Sequence, residues 1–361
     1  MHKKLFVPGP IEVAEDVLQA MSAPMIYHRT KEASALQEEI AEGMKKVMQT
    51  KNTILFSTSS GTGLMEGSIR SCTEKRAIVF SVGAFGKRWY EIAVGNGVPA
   101  DIYTAPSGEA ITPEIVDQYL STGKYDVMTI THNETSTGIM NPVEDLAKVW
   151  KKYPDIAVLM DTVSSMGGVS IKTDELGVDV CLTSSQKALG LPPGLAICSV
   201  SPKALDKARR VKNRGYYFDL LELYKYVAEK EPYNQYPSTP TLSHYYALKH
   251  QLKKILEKEG LENRFKRHLE MAEYTRNWAK KYFALYPKDE KWCSVTLTTI
   301  SNTRGLSVKG LNEELGKRGF MISNGYGDLK EKTFRIAHMG DFTVKDIQEV
   351  TGLIEEIWNL K

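Results

Sequence analysis

The sequence predicts a wound α/β domain with a mostly parallel sheet, followed by a smaller α+β domain. Three observations predict it. Short β-rich runs alternate with helical patterns from about residue 32 to 200, as strand–helix–strand units require. After Pro202 the texture changes to irregular chain and then to long helical stretches. The 361 residues suit a large domain plus a smaller one, with ample length for a core.

Seven strands fall at 53–57 (TILFS), 76–81 (RAIVFS), 100–104 (ADIYT), 125–130 (YDVMTI), 156–161 (IAVLMD), 178–183 (VDVCLT) and 195–200 (LAICSV), which suit one large sheet. Between Glu32 and Gln49, Leu36, Ile40, Met44 and Val47 form one helical stripe, and Pro142 opens a helix that runs to Trp150. Residues 209–240, rich in Tyr, Arg and Pro, read as irregular chain and short helices. Two helical patterns broken near Gly260 follow over 241–286. Then come SVTLTTI, a helix at 307–318, TFRIAHM and a final amphipathic helix from Thr343. The one plausible seam lies between about 235 and 262, giving an N-terminal segment 1–20, a large domain 21–240 and a small domain 241–361.

Composition excludes several classes. The net charge of +3 comes from interspersed rather than blocked charges, so nucleic acid is not an expected partner. Cys72, Cys181, Cys198 and Cys293 are scattered, with no CxxC pair and no His at ligand spacing, so neither a disulfide framework nor a metal site is expected. The apolar run before Pro8-Gly9-Pro10 is only three residues, Leu5, Phe6 and Val7, too few for a signal-peptide core, and no window approaches the roughly 18 apolar residues of a membrane span. The expectation is a soluble cytoplasmic protein.

Chemistry concentrates in a few places. Lys187 follows Thr183, Ser184, Ser185 and Gln186 and precedes the rigid turn Gly190-Leu191-Pro192-Pro193-Gly194. Asp161 ends the apolar run 156–160, at the strand terminus where ligands of wound sheets gather. Such a pair suits pyridoxal phosphate: a lysine amine holds the aldehyde as a Schiff base, and a carboxylate keeps the pyridine nitrogen protonated. Taken singly, Asp161 also reads as a turn or N-cap residue and Lys187 as a solvated loop lysine. Ser59-Ser60-Gly61-Thr62-Gly63 lies between a strand and a helix, a cradle for one phosphate or simply a turn.

Together PGP, SSGTG, AFGKR, THNETSTG, MDTVSS, SSQKAL with PPG, YPSTPT and FRIAHMG, in this order and spacing, resemble the class V aminotransferases dependent on pyridoxal phosphate. The resemblance runs from about residue 5 to 357 and is strongest to the alanine–glyoxylate/serine–pyruvate group. It implies the aspartate aminotransferase-like transferase fold (fold type I), with a seven-stranded large domain and an α+β small domain.

It also implies roles. Lys187 forms the Schiff base and then serves as the general base at the substrate Cα, and Asp161 faces the pyridine nitrogen. Ser60, Gly61 and Thr62 cradle the phosphate, and Gln186 hydrogen-bonds the cofactor. Phe85 stacks on the ring and Thr135 stands beside it. Tyr236 and Thr239 reach the phosphate from the neighbouring subunit of a homodimer. Arg335 clamps the substrate carboxylate with its planar fork; from the sequence alone it equally reads as a surface arginine on an edge strand. His338, just beyond, carries no assigned role.

The implied reaction moves an amino group from alanine or serine to glyoxylate or pyruvate by a ping-pong route. His28 and Arg29 either favour an acidic or phosphorylated substrate, such as aspartate, phosphoserine or 2-aminoethylphosphonate, or form a salt-bridged structural pair. A lyase acting on a β-hydroxy amino acid uses the same fold, and so would a non-enzymatic regulator, although the latter would be expected to lose Lys187, Asp161 or Arg335. A cysteine desulfurase would need a cysteine on the loop before Arg335, which reads SNGYGDLKEK.

Overall fold

The computed structural model describes residues 2–360. Its strands are, in chain order, β1 (Lys4–Phe6), β2 (Thr53–Ser57), β3 (Ala77–Ser81), β4 (Ala100–Thr104), β5 (Val127–Thr131), β6 (Asn133–Glu134), β7 (Ile139–Met140), β8 (Ala157–Asp161), β9 (Val180–Ser184), β10 (Ala196–Val200), β11 (Ala284–Leu285), β12 (Leu297–Ser301), β13 (Phe320–Asn324) and β14 (Thr333–Ala337). The seven strands expected between 53 and 200 form one sheet, ordered β2-β10-β9-β8-β5-β3-β4. Only β10 runs antiparallel to its neighbours. The C-terminal ends of β2, β3, β5, β8 and β9 therefore share one edge of the sheet, where open α/β folds place their ligands.

These strands are apolar on both faces because helices cover both, and two clusters divide the core accordingly. On one side, the helix Lys31–Met48 buries Leu36, Ile40, Met44 and Val47, and the Thr30 hydroxyl caps it by accepting from Ala33 N. On the other, the helix Gly61–Cys72 packs closely because it carries glycines: a Cβ on Gly67 would lie 2.2 Å from the Phe218 carbonyl oxygen.

A second sheet, β1-β13-β14-β12-β11, surrounds a third core that includes Phe6, Phe334, Ile336 and Trp278. Three of its strands, β1, β11 and β13, escape the sequence patterns. β1 is three residues long and pairs in parallel with β13, Lys4 opposite Phe320, and β11 has two residues. β14 lies in the middle of this sheet, so Arg335 stands on a central strand rather than an edge strand. The expected break at Gly260 is real: this residue adopts φ +81 between a π-helical turn, Lys254–Glu259, and the long helix Leu261–Tyr282. Among the described residues no helix is long and apolar enough to cross a membrane.

Candidate active site

At the shared strand edge lies a cavity of about 250 Å³, lined by Ser60, Gly61, Thr62, Phe85, Thr135, Asp161, Gln186 and Lys187 together with Gly9, Pro10, Arg88, Ser164, Ser184 and others. Eight of the residues singled out in the sequence thus meet in one place. Each stands just past a strand: Ser60 after β2, Phe85 after β3, Thr135 after β5, Asp161 at the end of β8 and Lys187 after β9.

Gly61 and Thr62 open the helix Gly61–Cys72, so their N–H groups have no acceptor within the helix and point a positive dipole end at the cavity. A Cβ on Gly61 would sit 2.6 Å from Val163 Cγ2, so only glycine leaves the cradle open. Opposite, Ser184 Oγ and Gln186 Oε1 are buried with no hydrogen-bond partner among the described residues, an arrangement that a polar ligand would complete.

Lys187 is buried, and its Nζ donates to the Pro8 carbonyl. Gly9, at φ +124, lies so close that a Cβ there would meet Lys187 Cδ, Cε and Nζ at 2.7 to 2.8 Å. Burial pushes the amine down to about 8; the Arg335 and Arg88 cations add to the fall, while the charges of Asp161 and Glu134 oppose it. Burial likewise pushes the Asp161 carboxyl up to about 7, although its Oδ1 accepts the Val163 N–H at 2.8 Å and Lys187 favours its charge. A low-lying amine and a high-lying carboxyl in one cleft are the signature of a reactive site.

Arg335 does not line this cavity but lies behind it. Its Nη1 donates to Thr135 O at 3.0 Å, and Nε and Nη2 donate to Asn324 O at 3.2 and 3.0 Å. Burial lowers its pKa to about 10, so it remains a cation at neutral pH. The Tyr326 ring lies 5.7 Å from its Cζ and 5.7 Å from the Phe85 ring. Tyr326 also lines a neighbouring cavity of about 450 Å³ that shares Arg88 with the first.

One expectation is corrected, the salt bridge at Arg29. Among the described residues Arg29 forms no salt bridge; its guanidinium donates to the carbonyls of Tyr236, Pro237 and Ser238 at 2.7, 3.2 and 3.4 Å, clamping that loop. His28 packs against Tyr27, and neither His28 nor Arg29 lines the cavity. Tyr236 is buried within its own chain, where its hydroxyl accepts from Thr58 N at 3.2 Å, while Thr239 is exposed. Neither lines the cavity of this chain. His338 is a buried neutral residue, bonded to Thr298 Oγ1 at 2.9 Å and pushed down to about 3 by burial. All four cysteines are buried, and burial raises each thiol, so none is a nucleophile.

Two residues of the site went unnoticed in the sequence. Glu134 is fully buried and accepts from Phe85 N, Gly86 N, Ser136 N and Ser136 Oγ at 2.6 to 3.0 Å, fixing the turn that carries Phe85. Arg88 lies against the Phe85 ring at 4.6 Å and forms no ion pair among the described residues. The spacing of Arg88 from Phe85, one helical turn, was the available signal.

A phosphate-sized helix cradle, a neutralisable lysine and a carboxylate at a wound-sheet edge define the site of a pyridoxal phosphate-dependent transferase, and the residues present fit that cofactor. Residues 11–328 match the family Aminotransferase class-V. An uncharacterised aminotransferase of Methanocaldococcus jannaschii is 37% identical, covering 98% of this chain and 92% of its own. A chain named as the small subunit of a soluble hydrogenase of Synechococcus is 32% identical, with coverage of 98% and 92%. The L-aspartate–glyoxylate aminotransferase of Paracoccus denitrificans is 30% identical, with coverage of 97% and 89%. The crystal structure of an alanine–glyoxylate aminotransferase from Nostoc superposes with a TM-score of 0.93 at 29% identity, covering 99% and 96%. The chain belongs to the class V aminotransferases, and its cofactor is pyridoxal phosphate.

Proposed function

We propose that this enzyme transfers the amino group of alanine or serine to glyoxylate or pyruvate, with Lys187 as the group that holds and moves the Cα proton. The observation that carries the reading is the meeting of Lys187, Asp161 and the Ser60–Thr62 cradle in one cavity, with the Arg335 fork behind Thr135. Bound there, pyridoxal phosphate supplies an aldehyde for the substrate amine and a ring that takes up the electron pair released at Cα.

The protein's own part is positional and electrostatic. Gly61 and Thr62 N–H groups and the Ser60 and Thr62 hydroxyls would hold the phosphate, Phe85 would pack against the cofactor, and Gln186 would complete its hydrogen bonding on it. Asp161 would keep the ring nitrogen protonated, and a protonated ring stabilises the electron pair released at Cα more strongly as it develops in the transition state. Arg335 orients the substrate carboxylate. Lys187, lowered to about 8, is neutral in part of the molecules near pH 7.5 and so accepts a proton, whereas an ordinary lysine is almost wholly charged.

One observation favours a second reading of the donor. Arg88 borders both cavities without an ion pair, and a cation so placed would pair with the side-chain carboxylate of an acidic donor such as aspartate. The hydrogenase name stays with that relative; the cavity here is furnished for amino transfer.

We also place the enzyme in the cytoplasm and divide it into an N-terminal segment 1–20, a large domain 21–240 and a small domain 241–361. We further propose a homodimer, in which exposed Thr239 serves the partner's site. Exposed Met25, Tyr27, Tyr216 and Tyr233 supply apolar surface for such an interface, and sedimentation of a monomer at working concentration would remove this part of the reading.

The decisive experiment mixes the pyridoxal phosphate enzyme with single amino acids and follows loss of its visible absorbance. Alanine and serine should convert it, and Lys187→Ala should abolish both the absorbance and turnover. Conversion by aspartate alone would replace the first donor assignment with the second, and full activity in Lys187→Ala would sink both.

A further inference from the structure

Arg264 is 1% exposed, and such burial of a charge is tolerated only when every polar atom is engaged. It sits in the first turn of the helix Leu261–Tyr282, outside the cavity. Its Nε donates to Gly167 O at 2.9 Å and its Nη2 to Ala188 O at 2.8 Å. Its Nη1 pairs with Glu259 Oε2 at 3.0 Å and with Asp341 Oδ1 at 3.2 Å. Three of those four partners fall on particular stretches of chain. Gly167 ends the turn that follows Asp161, Ala188 is the residue after Lys187, and Asp341 follows the strand that carries Arg335.

Asp341 is itself anchored, since Gln251 Nε2 donates to it at 3.0 Å and Lys254 pairs with it at 2.9 Å. The Lys187 turn is closed from within by Gly190 N donating to Lys187 O at 2.8 Å. Without Arg264, the Ala188 and Gly167 carbonyls would lose a charged donor and two carboxylates would lose their common cation.

We propose that Arg264 is a positioning residue, a hub that fixes the lysine, the ring carboxylate and the carboxylate clamp relative to one another. This rests on the reading of Lys187 and Arg335 given above. A substrate held by its carboxylate at Arg335 must present its Cα to Lys187, and errors of about 1 Å in such geometry cost on the order of a hundredfold in rate. Lysine cannot replace the hub, because one ammonium lacks the planar fork that reaches both carbonyls and the carboxylates together.

The test compares Arg264→Met and Arg264→Lys with Asp341→Asn, and uses Lys187→Ala as control. Affinity of the cofactor-free protein for pyridoxal phosphate is read by titration, and turnover is measured with a donor carrying deuterium at Cα. Both Arg264 variants should bind the cofactor about tenfold more weakly and lose about tenfold or more in kcat, with KM for the donor within about threefold. The deuterium isotope effect on kcat should rise, because misplacing Lys187 slows the proton transfer itself, a change that mere loss of stability does not produce. An Arg264→Met enzyme that melts like the parent and matches it in affinity and isotope effect overturns the proposal. Should Arg264→Met fail to fold, Asp341→Asn decides: a shift in the same direction supports the hub, and parental values overturn it. A Lys187→Ala protein that keeps the cofactor absorbance overturns the underlying site reading instead.

Discussion

Replacing Asp161 by Asn should make the cofactor-free protein more stable and the enzyme far less active. The Asp161 oxygen that accepts the Val163 N–H at 2.8 Å has an equivalent in asparagine, so the change removes charge and almost no shape. Burial raises this carboxyl from 3.8 to about 7. Below about pH 4 folded and unfolded chains both hold the proton and nothing is lost. As pH rises toward 7 the unfolded chain ionises while the folded one keeps its proton, costing about 1.4 kcal/mol of stability per pH unit. The penalty is on the order of 2 kcal/mol at pH 5 and on the order of 4 kcal/mol at pH 8, where it levels off. Lys187 offsets part of the gain in the variant, because it loses the neighbour that favours its cation. Urea unfolding of both proteins at pH 5 and pH 8 should therefore show Asn ahead, by a margin that grows by about 2 kcal/mol between the two. Transamination should fall at least about a hundredfold. A variant no more stable at pH 8, or one whose advantage is the same at both pH values, refutes the reasoning.

Three further outcomes are expected. Arg335→Lys should raise KM for the amino donor about tenfold or more, measured by steady-state kinetics, since an ammonium cannot pair with both carboxylate oxygens in the fork geometry. Gly9→Ala places a Cβ 2.7 Å from Lys187 Cδ at φ +124, so titration with pyridoxal phosphate should show weakened binding even where the melting temperature changes little. None of the four thiols should react with a thiol-specific reagent until the protein is unfolded, because all are buried and raised.

The large sheet was legible because its strands are short apolar runs bounded by Gly, Pro and charged residues, and a strand buried on both faces leaves that mark wherever it lies. The cavity was legible for the same reason: residues just past such strands meet at one edge. What escaped depends on distant partners. Lys4–Phe6 is too short to show a period and becomes a strand only beside Phe320–Asn324. Arg264 reads as an ordinary surface charge in ENRFKR, and only the folded chain shows the carbonyls and carboxylates around it. Arg29 read in the sequence either as a cation for a substrate or as half of a structural pair, and nothing in HRTKE tells that its partners would be three backbone carbonyls. Glu134 was passed over because nothing in HNETSTG tells that its carboxylate would cap the turn before Phe85.

Lys4–Phe6 pairs with a strand near the other end of the chain, and the Pro8-Gly9 stretch just behind it closes over Lys187. On the ribosome this means that Lys4–Phe6 waits for Phe320–Asn324 to be made before it can dock. Contacts so far apart in sequence form late. The lysine consequently lacks its cover until Phe320–Asn324 has been made, and capture of the cofactor in its final geometry waits with it. A nascent chain halted before residue 320 would carry every residue of the large sheet and still lack a finished site.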